Sequence, residues 1–268
     1  MLFRNSVLIG VGALAATTAA AQAPDRYLTY DGVRSYVEVP ASPGLSVSAD
    51  GLTIEAWMRP DSLSFAHTQG SLPTEQYVHW LGKGEKDQEE WTFRMYGLTT
   101  PPGPRANRVS FYVFNLRGGR GCGSYFQDPI VPGRWMDVVG VADASARTTT
   151  IYKNGVPRHT NSFAGIITPA AGGAPLRIGS KDFLSFFRGA IGPVRIWNRP
   201  LAADEVRALY ASGTVPQRGL VAQYLFGEGG GTVAHDSVGG HDGTLTGAAW
   251  GSGGGEIQAS TGTSGGGC

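Results

Sequence analysis

Apolar and polar residues alternate in short runs along most of the chain, and turn residues end nearly every run. Tyr36-Val37-Glu38-Val39 alternates and stops at Pro40, and Leu52 to Met58 alternates and stops at Pro60. Trp91 to Tyr96 puts Trp91, Phe93 and Met95 on one face. A period of two predicts half-buried strands. Val109 to Phe114 and Trp135 to Val141 are fuller apolar runs, as for strands covered on both faces. Thr148 to Lys153, then Asn154-Gly155, then Val156 to His159 is the strongest hairpin signal, because Asn-Gly can fill both positive-φ positions of a type I′ turn. Leu176 to Gly179 and Gly189 to Asn198 supply further strands. One helix breaks the pattern, from Leu201 after Pro200 to Tyr210, with Asp204 and Glu205 early and Gly213 as its stop. Val206, Leu209 and Tyr210 share its apolar face. The spacing predicts an all-β, two-layer sandwich, since parallel α/β units would show helices between strands.

Composition supports that picture and narrows the function. The 41 Gly among 268 residues suit many tight turns, and 6 Trp, 10 Tyr and 11 Phe argue against disorder. With 22 basic and 21 acidic residues there is no whole-domain electrostatic footprint for nucleic acid. Two cysteines exclude a disulfide-dense scaffold and the Cys-rich zinc modules. Residues 1–21 have the layout of a secretory signal peptide: Arg4, an uncharged apolar run from Ser6 to Ala16, then small residues. Ala21 is the favoured last residue removed, because cleavage after Ala23 would place Pro24 beside the scissile bond. The run is shorter than the ~20 residues that span a bilayer. The mature chain is therefore expected to be secreted, without a membrane span, where a disulfide is permitted. Residues 251–268 contain eight Gly with Ser and Thr between them, and read as a flexible tail. For Cys122 and for Cys268 in that tail, a disulfide, a free thiol and an intermolecular bridge all stay open.

Several runs, in this order, resemble the laminin-G-like family of concanavalin A-like jelly rolls, which are related in shape to pentraxins and legume lectins. They are Tyr30-Asp31-Gly32-Val33 with Tyr36 to Pro40, Leu52 to Trp57 with Pro60, Gly133-Arg134-Trp135, and Tyr152-Lys153-Asn154-Gly155. Arg177 to Ser180, Phe187 to Asn198 and the helix after it complete the series. The resemblance implies a jelly-roll β-sandwich over residues 22–212 with one short surface helix. Leu220 to Phe226, Asp236-Ser237 and Asp242 to Leu245 also look like this family, but in it they stand before the first strand pair. Residues 213–250 are read as an extension whose strand completes the sandwich, with a truncated second module as the alternative.

Candidate chemistry is sparse. Glu85, Asp87 and Glu89 lie at i, i+2 and i+4, which on a strand would share one face. Some jelly-roll glycosidases use such a triplet as nucleophile, helper and acid, which needs one carboxylate ionised and one protonated. Here Lys86 and Gln88 intervene where those enzymes have apolar residues, and a solvated turn is the preferred reading. The resemblance to pentraxins implies a calcium site at Asp87 with Gln88 and at Asp182, although Lys181 stands beside Asp182. Asp236 and Asp242, in a Gly-rich turn, form a second oxygen-rich candidate for calcium; a turn held by Asx hydrogen bonds is the alternative. Tyr77, Trp80, Tyr125, Phe126, Phe183 and Phe186 are expected in or near loops, where aromatic faces suit sugar C–H surfaces. Of these, Trp80, Tyr125 and Phe183 are the chosen ligand contacts. The stretch 61–84 reads as a long elaborated loop, and 116–121 as a Gly-rich loop in which Arg117 or Arg120 faces an anionic sugar. The leading expectation is a secreted, non-enzymatic module that binds glycan or another surface ligand, with no required cofactor. The alternatives are a glycoside hydrolase or lyase using Glu85, Asp87 and Glu89, and an adhesion module acting through protein contacts.

Overall fold

The computed structural model describes residues 21–98, 102–114, 121–163, 172–260 and 262–267. The leader expected over 1–21 lies outside these residues except for Ala21, as do Arg117, Arg120 and Cys268. The strands in chain order are β1 (Arg26–Asp31), β2 (Tyr36–Val39), β3 (Gly51–Pro60), β4 (Tyr77–Lys83), β5 (Trp91–Tyr96), β6 (Arg108–Val113), β7 (Cys122–Gln127), β8 (Met136–Asp143), β9 (Thr148–Lys153), β10 (Val156–Ser162), β11 (Leu176–Ile178) and β12 (Arg188–Trp197). After them come α1 (Ala203–Ser212), β13 (Leu220–Tyr224), β14 (Val233–Ala234), β15 (Gly243–Thr246), β16 (Ala249–Ser252) and β17 (Thr263–Gly267).

These strands form two antiparallel sheets. One runs β10-β9-β8-β3-β12-β1-β16, with β13 also paired to β12; the other runs β14-β15-β2-β11-β4-β5-β6-β7-β17. Consecutive strands such as β8-β9-β10 and β4-β5-β6-β7 are flanked by strands from distant parts of the chain, such as β3, β12 and β1 or β2, β11 and β17, as in a jelly roll. The alternation explains the layering. Ile54, Met58, Val138, Ile151 and Ile191 of the first sheet meet Val37, Val39, Phe93, Val109 and Phe111 of the second in one buried cluster. At Gly140 on β8 an added Cβ would stand 2.4 Å from the Phe111 ring, so the sheets meet there with no room for a methyl. The β9–β10 hairpin turns on Asn154 at φ 52° and Gly155 at φ 71°, the two left-handed positions its sequence demands. Helix α1 lays Val206 and Leu209 over Val139, Val141, Tyr152 and Trp197 on the outer face of the first sheet. Gly213 ends it in the left-handed region at φ 67°, its N–H donating to the Leu209 carbonyl.

Three sequence expectations are corrected. The stretch 61–84 is not all loop, because β4 occupies Tyr77–Lys83 in the middle of its sheet. Tyr125 and Phe126 sit on β7 rather than in a loop. Residues after 250 are not a loose tail: β17 pairs with β7 from Thr263↔Gln127 to Gly267↔Gly123. Polar groups fasten the approach to that strand. Gln258 is 3 % exposed; its Oε1 accepts from Val131 N, its carbonyl accepts from Asn154 Nδ2, and Arg158 Nη2 donates to the Gly262 carbonyl. The glycine content that suggested disorder serves close approach instead, since a Cβ on Gly265 would fall 2.6 Å from the Tyr125 hydroxyl. Cys122, at the end of this pairing, is disulfide-bonded. Residues 220–252 supply strands to both sheets: β13 pairs with β12, β15 with β2 and β16 with β1.

Candidate functional site

On the outer face of the second sheet, β4 and β5 present His79 opposite Arg94. A bulge between His79 and Leu81 makes Trp80 the extra residue of β4. It lets Val78, Trp80 and Leu81 all turn inward while Tyr77 and His79 face out. Two loops rise beside this pair, one after β4 carrying Glu85, Lys86 and Glu89, the other after β11 carrying Lys181 to Leu184. Together with Gln69, Tyr77 and Phe114 they enclose a cavity of about 500 Å3, within the size range of small-ligand sites.

The polar groups of this cavity are built rather than incidental. His79 is 4 % exposed. The Gln69 side-chain amide nitrogen lies 3.0 Å from its Nδ1, 2.9 Å from Asp182 Oδ1 and 3.0 Å from Ser185 Oγ. The amide nitrogen has two hydrogens for these three neighbours; where one goes to Nδ1, the neutral ring carries its proton on Nε2. Burial holds the ring neutral, pushing its pKa well below the ordinary value, and the charges of Arg94 and Lys181 push it further down. Nε2 has no partner among the described residues, nor do Arg94 Nε and Glu89 Oε2, all buried atoms of cavity-lining side chains. The Arg94 guanidinium lies 5.0 Å from the centre of Tyr77, 4.4 Å from Tyr112 and 5.5 Å from Phe114. Phe183 is 42 % exposed at the rim, in the left-handed region at φ 62°. Arg177 lies 3.9 Å beneath its ring and Tyr36 meets its edge.

Of the residues expected to contact ligand, only Phe183 lines this cavity. Trp80 is fully buried in the core, packed on Phe93 and Phe187, and has no face for a ligand. Tyr125 is half-buried on β7, stacked on His159 with Arg108 3.7 Å over its ring. The Glu85, Asp87 and Glu89 triplet does not occupy a strand, so the shared-face geometry is absent. Glu85 Oε1 accepts from Arg177 at 2.6 Å, and Asp87 is an exposed turn residue at φ 66°. Asp182 lines the cavity but is paired to Lys181 at 3.1 Å, while Asp87 does not line it.

The second calcium candidate is a turn whose carboxylates are already engaged. Asp236 accepts from the backbone N–H groups of Gln223, Val238, Gly239 and His241 at 2.8–3.0 Å, and its Oδ2 lies 2.8 Å from His241 Nδ1. Burial alone would raise its pKa; the backbone donors outweigh that and lower it. Asp242 accepts from Asp236 N and lies 2.9 Å from His235 Nδ1. Among the described residues no group of three or more His, Cys, Asp or Glu side chains is placed to hold a metal ion, and no helix is long and apolar enough to cross a membrane.

A smaller cavity of about 290 Å3 lies between α1 and the first sheet, lined by Glu55, Trp57, Arg195 and Tyr210 among others. Its carboxylate is already satisfied, since Glu55 accepts from Arg195 at 2.6 Å. The residues that distinguish the larger cavity, His79, Arg94 and Gln69, were missed in the sequence. Their one visible trace is that His79 and Arg94 are polar residues inside otherwise apolar strands.

None of the curated proteins matches the chain. Among solved structures it is similar to a Bacteroides ovatus protein provisionally named a carbohydrate binding protein, at 16 % identity and a TM-score of 0.59, covering 88 % of this chain and 62 % of that one. The chain thus spans less than two thirds of that protein. It is also similar to the heptameric SAP-like pentraxin of Limulus polyphemus, at 14 % identity and a TM-score of 0.60, covering 85 % of this chain and 95 % of that one. At these identities the likeness shows the fold, an all-β two-sheet sandwich with one short helix. The Laminin_G_3 family, described as the concanavalin A-like lectin/glucanases superfamily, matches residues 31–207, and the chain belongs to it.

Proposed function

We propose that this protein is a non-enzymatic recognition module that binds carbohydrate in the cavity between the 84–90 and 180–185 loops. The observation that carries the reading is a cavity of about 500 Å3 walled by Tyr77, Phe114 and Phe183, with the Arg94 guanidinium held against two of these rings. A sugar's C–H faces would stack on the aromatic walls while its hydroxyls meet the polar lining side chains Gln69, Glu89 and Arg94. The carbohydrate-binding name of the Bacteroides ovatus neighbour supports the same class of ligand. The hydrolase reading is disfavoured by Glu85, whose carboxylate is held by Arg177, and by Asp87, which does not line the cavity. We place the protein outside the cytoplasm, a reading supported by the leader pattern in residues 1–21 and by the disulfide at Cys122.

A glycan array probed with the full chain, with and without EDTA, tests this. Binding should survive EDTA and fall at least tenfold in Phe183→Ala, whose side chain is exposed enough to be removed without unfolding. An array without a single bound glycan, or binding untouched by both Phe183→Ala and His79→Ala, would overturn the reading. Loss of binding in EDTA would instead assign calcium to Asp182 or to the Asp236 and Asp242 turn.

A further inference from the structure

We propose that the sugar this cavity takes is acidic, a uronic acid or a chain ending in one, with its carboxylate seated on the Arg94 guanidinium; this rests on the carbohydrate reading above and narrows its ligand. Several strand arginines have carboxylates: Arg59 has Asp61, Arg177 has Glu38 and Glu85, Arg195 has Glu55, and Arg158 has Asp128; Arg108 has the Gln127 side-chain oxygen instead, and Arg188 is exposed. Arg94 has no carboxylate among the described residues, and its Nε is buried without a partner. Its planar group is instead fixed by the rings of Tyr77, Tyr112 and Phe114, with the plane's donors left for a ligand. A planar fork held in place beforehand matches a carboxylate through two parallel hydrogen bonds.

The charges around Arg94 favour an anion there. The lining carboxylates Asp182 and Glu85 are neutralised by Lys181 and Arg177. The charges felt by neighbouring His79 are the cationic ones of Arg94 and Lys181. The third lining carboxylate, Glu89, has no ion pair among the described residues and is an acceptor for hydroxyls, and the lining Lys86 on the same loop supplies a further cation. The cavity is therefore polarised, with a cationic floor and a hydroxyl acceptor at its wall. A neutral sugar would cover Arg94 and strip its water without supplying a counter-charge, which is the costly way to bury an ion. A uronate supplies the charge and the hydroxyls together.

The test is calorimetric titration of the full chain with one oligosaccharide in three forms: the uronic acid, its carboxyl-reduced neutral twin, and the neutral twin carrying a sulfate ester. The acid form should bind at least tenfold more tightly than the neutral twin and more tightly than the sulfated form. Arg94→Gln should abolish that preference, and Arg94→Lys, which keeps the charge but not the fork, should restore part of it; thermal melts check that both variants stay folded. Equal binding of acid and neutral forms, a preference that survives in Arg94→Gln, or a preference for the sulfate overturns this inference and leaves the carbohydrate reading standing. Failure of all forms across a panel of such sugars overturns both.

Discussion

Asp137 offers a sharp physical test of the fold, because it is a carboxyl group kept where a charge is least welcome. It sits on β8, fully buried, and neither carboxyl oxygen has a hydrogen-bond partner among the described residues. Burial raises its pKa well above the ordinary value, the nearby Glu55 carboxylate raises it further, and Arg195 lowers it only in part. Glu55 is itself raised by burial, with Arg195 pulling the other way. Burial thus favours the protonated form of both carboxyls, against the one arginine. The sign then follows. A carboxyl whose folded pKa exceeds its unfolded value binds more protons in the fold, so stability is full below the unfolded pKa. It is lost as pH rises from there toward the folded pKa, at about 1.4 kcal/mol per pH unit for one proton. Asp137→Asn removes that dependence and gives Glu55 a neutral amide neighbour. By that slope the parent has lost up to about 4 kcal/mol between pH 4 and pH 7; the variant escapes this loss but buries an unpartnered amide, which takes back about 1–3 kcal/mol, so at pH 7 it should be the more stable by about 1–3 kcal/mol. At pH 4 the gain should shrink, because the unfolded carboxyl is then largely protonated as well. Urea unfolding at pH steps from 4 to 8 reads both quantities. A less stable variant at pH 7, or a gain that does not change with pH, would refute the argument.

The remaining predictions concern the segment from residue 253 to β17, the Asp236 turn and the contact between the sheets at Gly140. Truncation after Ser252 removes the partners of Asn154 Nδ2, Lys153 Nζ and Arg158 Nη2 on residues 258–262. Lys153 keeps its buried pair with Asp128, so the loss is that of three hydrogen bonds, two of them from charged donors, on the order of 3–5 kcal/mol in chemical denaturation; an unchanged midpoint would mean that β17 contributes no stability. Asp236→Ala strips acceptors from four backbone N–H groups and should lower stability at pH 7 by about 2–3 kcal/mol. As the folded pKa of Asp236 is depressed, the parent's advantage over this variant should disappear as pH falls through that pKa, which acid-range melts would follow. Gly140→Ala forces a methyl against Phe111 and should cost about 1–3 kcal/mol, readable as a lower Tm with the fold retained by circular dichroism.

Strand positions were legible wherever a run had a period of two and a turn residue at its end. Asn154-Gly155 and Gly213 occupy the left-handed conformations that their types favour, so local chemistry and fold agree there. β4 and β7 were hidden for different reasons. In β4 the bulge at Trp80 puts Trp80 and Leu81 both inward, and this breaks the alternation. β7 begins directly after a Gly-rich stretch, and its own Gly123 and Ser124 weaken the apolar pattern. The tail failed for a third reason. Composition measures how little apolar area a segment can bury, but this one is held by Lys153, Asn154 and Arg158, and its glycines fit against Tyr125 where no side chain could.

The cavity was the least legible feature because it is made by register rather than by motif. His79 and Arg94 are fifteen residues apart and become partners only through the β4–β5 ladder, and Gln69 and Asp182 reach the same ring from two further segments. The bulge that hid β4 is also what sets this geometry. Were the same residues laid out as a regular strand without the bulge, Leu81 would face outward while Gly82 faced the core. With it, the apolar residues on both sides of the bulge stay in the core, and His79 is left on the outer face beside Arg94. A local rule is broken at the position where the core keeps its packing and the outer face gains a buried, unpartnered donor. That coincidence of a local irregularity with unsatisfied chemistry is the signature expected of a binding site rather than of packing alone.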